Sequence, residues 1–168
     1  MKEFDGEPPG MDHLIEVKHE GTKVTKTHEG PWCGSTRYRE AAAKVRAQAV
    51  SREVITAAIE VHRQLGPGLL ESVYRACLGQ ELRLRGIDQR QEVPLPVTYK
   101  GLPLEVGHRV DMLVEDLVVV ELKSVEELEP VHQLQLLTCL RLSGRWLGLL
   151  INFNTALLKP GLRRVLDG

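Results

Sequence analysis

The pattern of apolar and polar positions predicts helices in the middle of the chain. From Arg37 onwards, strong helix formers dominate the sequence. Ser51 is placed to cap a new helix, in which apolar residues recur every three or four positions. The sequence Gly66-Pro67-Gly68 interrupts this pattern. A second helix is predicted from Leu69 to Arg85, with Gly86 as its left-handed C-terminal cap.

Strand patterns dominate the rest of the chain. The elements predicted after Gly86 are strands over Val93–Tyr99, Leu104–Val114 and Val118–Lys123, a helix over Val131–Leu142, a strand over Leu147–Phe153 and a short helix over Pro160–Val165. The strand at Leu147–Phe153 is continuously apolar, which is typical of a strand covered on both faces. This order of elements predicts an α/β (α+β) fold with one mixed sheet.

The first part of the chain differs in composition from the remainder. Residues 1 to about 35 are rich in glycine and proline and contain few large apolar side chains. We therefore predict an N-terminal extension over residues 1–50, partly disordered or helical, and one domain over residues 51–168. The potential zinc ligands in the extension are His13, His19, His28 and Cys33. Their separations match no common ligand spacing, so the sequence favours ordinary polar loop residues.

Composition and charge limit the classes of protein. The chain has 168 residues, of which 42% are hydrophobic, and a net charge of -1 from 22 basic and 23 acidic residues. This balance excludes a histone-like protein, although a local basic patch could still bind nucleic acid. The three cysteines lie far apart, which favours a reducing compartment. Without a signal-peptide pattern or a bilayer-length apolar run, we expect a cytoplasmic protein with no membrane contact.

Ionisable residues interrupt two neighbouring apolar strands. Asp111 lies on one predicted strand, and Glu121 and Lys123 lie two positions apart on the next, so the latter two share a face. Burying such groups is costly unless they are paired. A divalent metal held by both carboxylates, beside the amine, would offset this cost and could cleave a phosphodiester. Ordinary ion pairs, Lys123 with Glu121 and Arg109 with Asp111, explain the residue types equally well.

The turn between these strands tests the metal hypothesis. Asp111 and Glu121 must lie on one face to bind one ion. A two-residue turn would place them on opposite faces, whereas a three-residue turn over Glu115–Leu117 pairs Val114 with Val118 and sets Asp111 opposite Glu121. The hypothesis therefore predicts a turn of odd length or a bulge.

Two polar residues fall within the apolar patterns of helices. Glu71 lies in the apolar arc of the second helix, at the end nearest a turn; Glu81 shares that arc but lies roughly 15 Å away along the helix. The helix dipole also favours an acid in the first turn of a helix, and this gives a purely structural explanation of Glu71 as the alternative to a functional one. Gln135 lies among leucines of the third helix. Its amide could orient a water or touch a phosphate, or it could be half exposed and bonded to backbone.

Taken together, the motifs resemble those of the GxxExxY family of small bacterial proteins. The matching segments are Gly68-Leu-Leu-Glu71-Ser-Val-Tyr74 after His62–Pro67, then Tyr99-Lys-Gly101, Arg109-Val-Asp111, Val120-Glu-Leu-Lys123, Gln135-Leu-Leu and Leu149-Leu-Ile-Asn-Phe153. The resemblance covers about residues 52–165. Cys139 stands where the family leads us to expect an aromatic residue.

The resemblance implies the PD-(D/E)xK nuclease-like fold, a mixed sheet of four to five strands flanked by helices. It also implies a Mg²⁺ (or Mn²⁺) site formed by Asp111, Glu121 and the carbonyl of Leu122, with Glu71 as an additional ligand. Lys123 would then assist the attacking water.

The same resemblance implies a nuclease that hydrolyses phosphodiester bonds of nucleic acid, with DNA as the expected partner. Gln135 corresponds to the helix glutamine of the superfamily. Independently of the resemblance, Arg109, Arg163 and Arg164 are candidates for binding the nucleic-acid backbone, although a solvated surface is the default interpretation of these arginines. The alternative is a non-catalytic nucleic-acid or protein interaction module on the same fold. The sequence leaves the oligomeric state open, a homodimer included.

Overall fold

The computed structural model describes residues 36–168, without the side chains of Thr36, Glu105 and Val106. Its elements in chain order are α1 (Thr36–Leu65), α2 (Glu71–Leu84), β1 (Gln89–Tyr99), β2 (Leu102–Val114), β3 (Val118–Lys123), α3 (Pro130–Ser143), β4 (Leu147–Asn152), a 3-10 turn (Lys159–Gly161) and β5 (Leu162–Leu166). No helix in this part of the chain is long and apolar enough to cross a membrane.

The five strands form one mixed sheet in the order β1-β2-β3-β4-β5. Neighbouring strands are antiparallel except β3 and β4, which run parallel. Parallel neighbours need a long crossover connection, and α3 supplies it. The predicted α/β (α+β) class, with a mixed sheet of four to five strands flanked by helices, is confirmed.

Apolar side chains on the two faces of the sheet pack against different helices. Those on one face pack against α1 and α2, and those on the other pack against α3. On β4, Leu149 and Ile151 belong to the first core and Leu150 to the second, and all six residues of β4 are buried. The predicted strand covered on both faces is therefore confirmed.

The predicted helix start at Ser51 is wrong. Helix α1 runs unbroken from Thr36 to Leu65, and Ser51 is fully buried within it. The Ser51 hydroxyl donates a hydrogen bond to the Gln48 carbonyl (2.8 Å), so serine is accommodated inside the helix instead of capping one. The predicted division at residue 50 falls within α1, and residues 1–35, including all four potential zinc ligands of the extension, lie outside the described residues.

The short helix predicted at the end of the chain is also wrong. Only Lys159–Gly161 form a 3-10 turn, in which Pro160 is suited to the first turn. The chain then returns to the sheet as β5, which pairs antiparallel with β4 at the sheet edge. Backbone hydrogen bonding to β4 thus outweighs the local sequence pattern that favoured a helix.

Candidate active site

The turn between β2 and β3 has three residues, as the metal hypothesis requires. Val114 pairs with Val118, and the amide of Leu117 donates to the Val114 carbonyl at 2.9 Å. Glu115 and Asp116 adopt left-handed φ angles of 51° and 55°. The predicted odd-length turn is confirmed, and its register leads Asp111 and Glu121 towards each other.

The strands separate where the acidic residues begin. The β2–β3 pairing ends at Met112 and Val120. One step further, the amide of Leu122 donates to Oδ2 of Asp111 at 2.8 Å, so a carboxylate replaces a backbone acceptor. In a strand, the amide and the carbonyl of one residue point to the same neighbouring strand, and the amide and the carbonyl of the next residue point to the strand on the other side. The Lys123 carbonyl accepts from Phe153 on the β4 side, so the Leu122 carbonyl faces β2 and Asp111.

Glu121 is buried on the face of the sheet that α3 covers. Its flanking residues Val120 and Leu122 pack on the opposite face, which fixes its direction. The side chain is 10% exposed, and Oε1 accepts a hydrogen bond from Lys123 Nζ at 2.9 Å. Within the part of the chain that the structure describes, Oε2 is buried and has no hydrogen-bond partner. Desolvation raises the pKa of Glu121 and the charge of Asp111 adds to this, while Lys123 opposes it.

Lys123 forms the ion pair with Glu121 that the sequence suggested. Burial lowers the pKa of Lys123, but the hydrogen bond to Glu121 and the charges of Glu121, Glu71 and Asp111 outweigh it, so the pKa is raised overall. The side chain therefore stays protonated and acts as a fixed positive charge next to the carboxylates. An ammonium in this state stabilises negative charge instead of abstracting a proton.

The cation that pairs with Asp111 is Arg75, and not Arg109 as in the ion-pair alternative to a metal site. Arg75 Nη1 lies 3.0 Å from Oδ1 of Asp111, whereas Arg109 is exposed. Val110 and Leu113 both pack towards α3 although three positions separate them, so the alternation of faces breaks near Asp111. Arg109 consequently no longer shares a face with Asp111.

Sequence reasoning missed two residues beside the site, Arg75 and His108. Arg75 follows Glu71 by four positions, which places both on one side of α2, and this spacing was the available signal. His108 pairs with the buried Leu95 across β1 and β2. Its Nε2 is buried without a hydrogen-bond partner among the described residues, and its charge lowers the pKa of Glu121. No sequence pattern marked His108.

Glu71 is the first residue of α2 and connects that helix to the end of β3. Its Oε1 accepts from the amide of Ser124 at 3.1 Å, and the Ser124 hydroxyl donates to the Leu69 carbonyl at 2.6 Å. These bonds bring the Glu71 carboxylate close enough for its charge to raise the pKa of Lys123. Glu81, at the other end of the helix, pairs with Arg85 instead.

Gln135 is exposed on α3. The leucines next to it in the sequence had suggested a buried position, which it does not have. Leu134 beside it is 61% exposed, while Leu136, Cys139 and Leu140 face the sheet. Cys139 is fully buried, and desolvation together with the charge of Glu121 raises its pKa to about 12. The thiol therefore stays protonated and fills space beside the acidic residues.

The predicted basic contacts do not form one patch. Arg109 lies on β2, and Arg163 and Arg164 lie on β5, with β3 and β4 between them. Arg164 pairs opposite Leu149 and donates to the Ser51 hydroxyl on α1, so it lies on the face opposite Lys123. Arg163 donates to the carbonyls of Pro160 and Leu162.

The residues of the site fit a small divalent cation. Among residues 36–168, no group of three His, Cys, Asp or Glu side chains lies close enough to hold a metal by itself. Mg²⁺, however, commonly uses one or two carboxylates and keeps several waters. Asp111, the free oxygen of Glu121 and the Leu122 carbonyl offer oxygen donors only, which is the chemistry that Mg²⁺ and Mn²⁺ prefer.

Comparison with known families gives a match over most of the chain. The family model of the PD-(D/E)XK nuclease superfamily matches residues 48–165, which is more than half of the chain and includes all the residues of the site. No match was found among curated proteins or among solved structures. The match is at the level of the superfamily, so the finer resemblance to the GxxExxY family stays a prediction.

Proposed function

Because the chain belongs to the PD-(D/E)XK nuclease superfamily, we propose that it is a Mg²⁺- or Mn²⁺-dependent nuclease that hydrolyses phosphodiester bonds of DNA. The observation that carries the proposal is the buried Oε2 of Glu121, which lies beside Asp111 and Lys123 and has no hydrogen-bond partner among residues 36–168. A buried carboxylate oxygen without a partner lowers stability, and such a group is retained where a ligand satisfies it.

The charge of the site supports the same proposal. The carboxylates of Glu92, Asp111 and Glu121 form ion pairs there with Arg75 and Lys123, and the charge of Glu71 acts on Lys123 without an ion pair. With these four carboxylates ionised and His108 counted as neutral, two negative charges are left uncompensated. In a partly buried position, this excess attracts a divalent cation more strongly than it would in water.

We assign the ion to Asp111, Glu121 and the Leu122 carbonyl. Among residues 36–168, Glu71 does not lie close enough to complete a group of three carboxylates, so it would act on the ion through its charge or a bridging water. A metal held by these residues would polarise the scissile phosphate and supply a water of lowered pKa. Lys123, protonated and held by Glu121, donates hydrogen bonds to the phosphate oxygens on which negative charge builds up. Its ion pair with Glu121 fixes the ammonium in place before the substrate arrives, which reduces the reorganisation needed in the reaction.

The remaining predicted residues are assigned to the substrate. Gln135 is exposed on the helix that covers Glu121, where its amide is free to reach a phosphate. Arg109 is exposed on the strand that carries Asp111, and we propose that it contacts the nucleic-acid backbone. For Arg163 and Arg164, on β5, contact with the backbone stays a prediction.

The test uses the purified full chain with plasmid DNA in Mg²⁺ or Mn²⁺. Wild type should nick the DNA, and Lys123→Ala should reduce the rate about 100-fold or more, since the variant lacks the charge that stabilises the transition state. Arg90→Ala is the matched control, because Arg90 pairs with Asp116 at the β2–β3 turn. Circular dichroism establishes that each variant is folded. Equal nicking by Lys123→Ala would remove Lys123 from the mechanism.

One observation favours a second function, a non-catalytic interaction module. Arg75 and Lys123 already neutralise Asp111 and Glu121, as structural ion pairs would. Such a module should take up no Mn²⁺ at these carboxylates. Calorimetric titration of wild type and Glu121→Gln separates the two functions, because a nuclease should bind Mn²⁺ in wild type and lose that binding in the variant.

A further inference from the structure

Arg75 lies between two carboxylates that belong to different strands. Its Nη1 is 3.0 Å from Oδ1 of Asp111 on β2, and its Nη2 is 3.3 Å from Oε1 of Glu92 on β1. The Arg75 and Asp111 side chains are 21% and 18% exposed, whereas the Glu92 side chain is 55% exposed. One arginine therefore has a partly buried partner and a more exposed partner within reach at the same time.

The pair with Asp111 bears directly on cation binding. Asp111 accepts from Arg75 at Oδ1 and from the Leu122 amide at Oδ2, so both oxygens are engaged. Each oxygen keeps a second lone pair for another ligand. The guanidinium charge next to Asp111 would nevertheless repel a divalent cation, and this repulsion is strong where water is partly excluded. Arg75 and a divalent cation thus compete for one carboxylate.

Glu92 gives the arginine a second position. It stands at a gap in the β1–β2 pairing, between Gln91 opposite Met112 and Val93 opposite Val110. Its φ angle of 51° lies in the left-handed region, which is unfavourable for a glutamate. Unfavourable backbone conformations of this kind concentrate at functional sites. A guanidinium that leaves Asp111 can stay neutralised by Glu92, so its displacement costs less than full loss of an ion pair.

We propose that Arg75 sets the affinity of the site for divalent cations: it occupies Asp111 and yields it to the ion by shifting its charge onto Glu92. The inference rests on the proposed function, since it assumes that Asp111 and Glu121 hold the ion. It adds Arg75 as a residue that determines the concentration of free divalent cation at which the site is occupied.

Calorimetric titration of Mn²⁺ into the full chain tests the proposal. Arg75→Ala should lower the Kd about tenfold, because the competing charge is gone. Glu92→Gln should raise the Kd about threefold, and it should have little effect when Arg75→Ala is already present, since the two residues act through one interaction. Arg90→Ala removes an equal charge that pairs with Asp116 and should change the Kd less than twofold.

The outcomes separate this inference from the proposed function. If wild type binds Mn²⁺ and Glu121→Gln abolishes binding, but Arg75→Ala leaves the Kd unchanged or raises it, the role of Arg75 is overturned and the ion site stands. If neither wild type nor Arg75→Ala binds Mn²⁺, the ion site and the proposed function both fall. If Arg75→Ala fails to fold, the Glu92→Gln titration decides, because an unchanged Kd in that exposed variant also overturns the role of Arg75.

Discussion

The two ends of β3 show how differently one strand can be used. At its beginning, Val118 to Val120 pair regularly with β2 and are fully buried among apolar side chains. At its end, Glu121 and Lys123 are charged, pairing with β2 has stopped, and the Asp111 carboxylate takes the place of a backbone acceptor. The apolar beginning of β3 stabilises the fold, whereas its charged end places ionisable groups at the candidate site and thereby lowers the stability of the fold. Substitutions around each end test whether these two roles are separate.

The largest expected effect is on stability at the apolar end. Leu147 lies opposite Val118 and is fully buried. Leu147→Ala should lower the free energy of unfolding by about 2–5 kcal/mol, because the truncation leaves a cavity. Denaturant unfolding measures the change, and Leu70→Ala, at a 73% exposed position, is the control with little effect. Below its melting temperature the Leu147→Ala variant should bind Mn²⁺ like wild type; a large rise in Kd would show that the two ends are coupled.

A smaller effect of opposite sign is expected at the charged end. Desolvation raises the pKa of Glu121, so the folded state resists its ionisation, and stability falls as the pH rises through that raised pKa. Glu121→Gln removes this penalty and should raise the melting temperature at neutral pH by roughly 2 °C, while abolishing Mn²⁺ binding. Below the ordinary glutamate pKa of 4.5, both proteins carry a neutral group and the difference should vanish.

Melting curves of wild type and Glu121→Gln over this pH range make the comparison direct. A variant that is less stable than wild type at neutral pH would show that the ion pair with Lys123 outweighs the desolvation of Glu121. The carboxylate would then be a stabilising structural group.

The smallest effect is expected at the turn that begins β3. Arg46 pairs with Glu115 at 2.7 Å, but the Arg46 side chain is 66% exposed. Arg46→Ala should lower the free energy of unfolding by less than about 1 kcal/mol, because solvent screens exposed ion pairs. Thermal unfolding at low and high salt checks this, since any effect should shrink as salt increases. A loss comparable to that of Leu147→Ala would mean that the turn itself holds β2 and β3 together.

The sequence predicted the features that depend on strict alternation along strands. The odd length of the turn between β2 and β3 and the shared face of Glu121 and Lys123 follow from a period of two, whereas the covered strand β4 follows from its unbroken apolar run. The contact between Arg75 and Asp111 could not be predicted, because it joins residues 36 positions apart through packing of α2 on the sheet. Alternation also fails near Asp111, because Val110 and Leu113 pack on the same face although three positions separate them, and this explains why Arg109 does not pair with Asp111.

Errors in the helices have a different origin. Ser51 has a cap-like residue type, but burial against the sheet and a hydroxyl bond to Gln48 keep it inside a continuous helix. Gln135 lies in a leucine-rich segment, yet α3 buries only one side, so Leu134 and Gln135 remain exposed. In both places tertiary packing, and not the local sequence pattern, decides the outcome.

The bond from the Leu122 amide to Asp111 has a practical consequence for the choice of variant, should the proposed nuclease activity be found and a substrate complex be sought. A substitution of Asp111 removes a negative charge and also removes the hydrogen bond that joins β2 to β3 at Leu122. A trapped complex made this way would combine two defects that cannot be told apart. A substitution at Lys123 keeps the hydrogen bond between the Leu122 amide and Asp111, so a complex trapped with that variant would preserve the native spacing of β2 and β3.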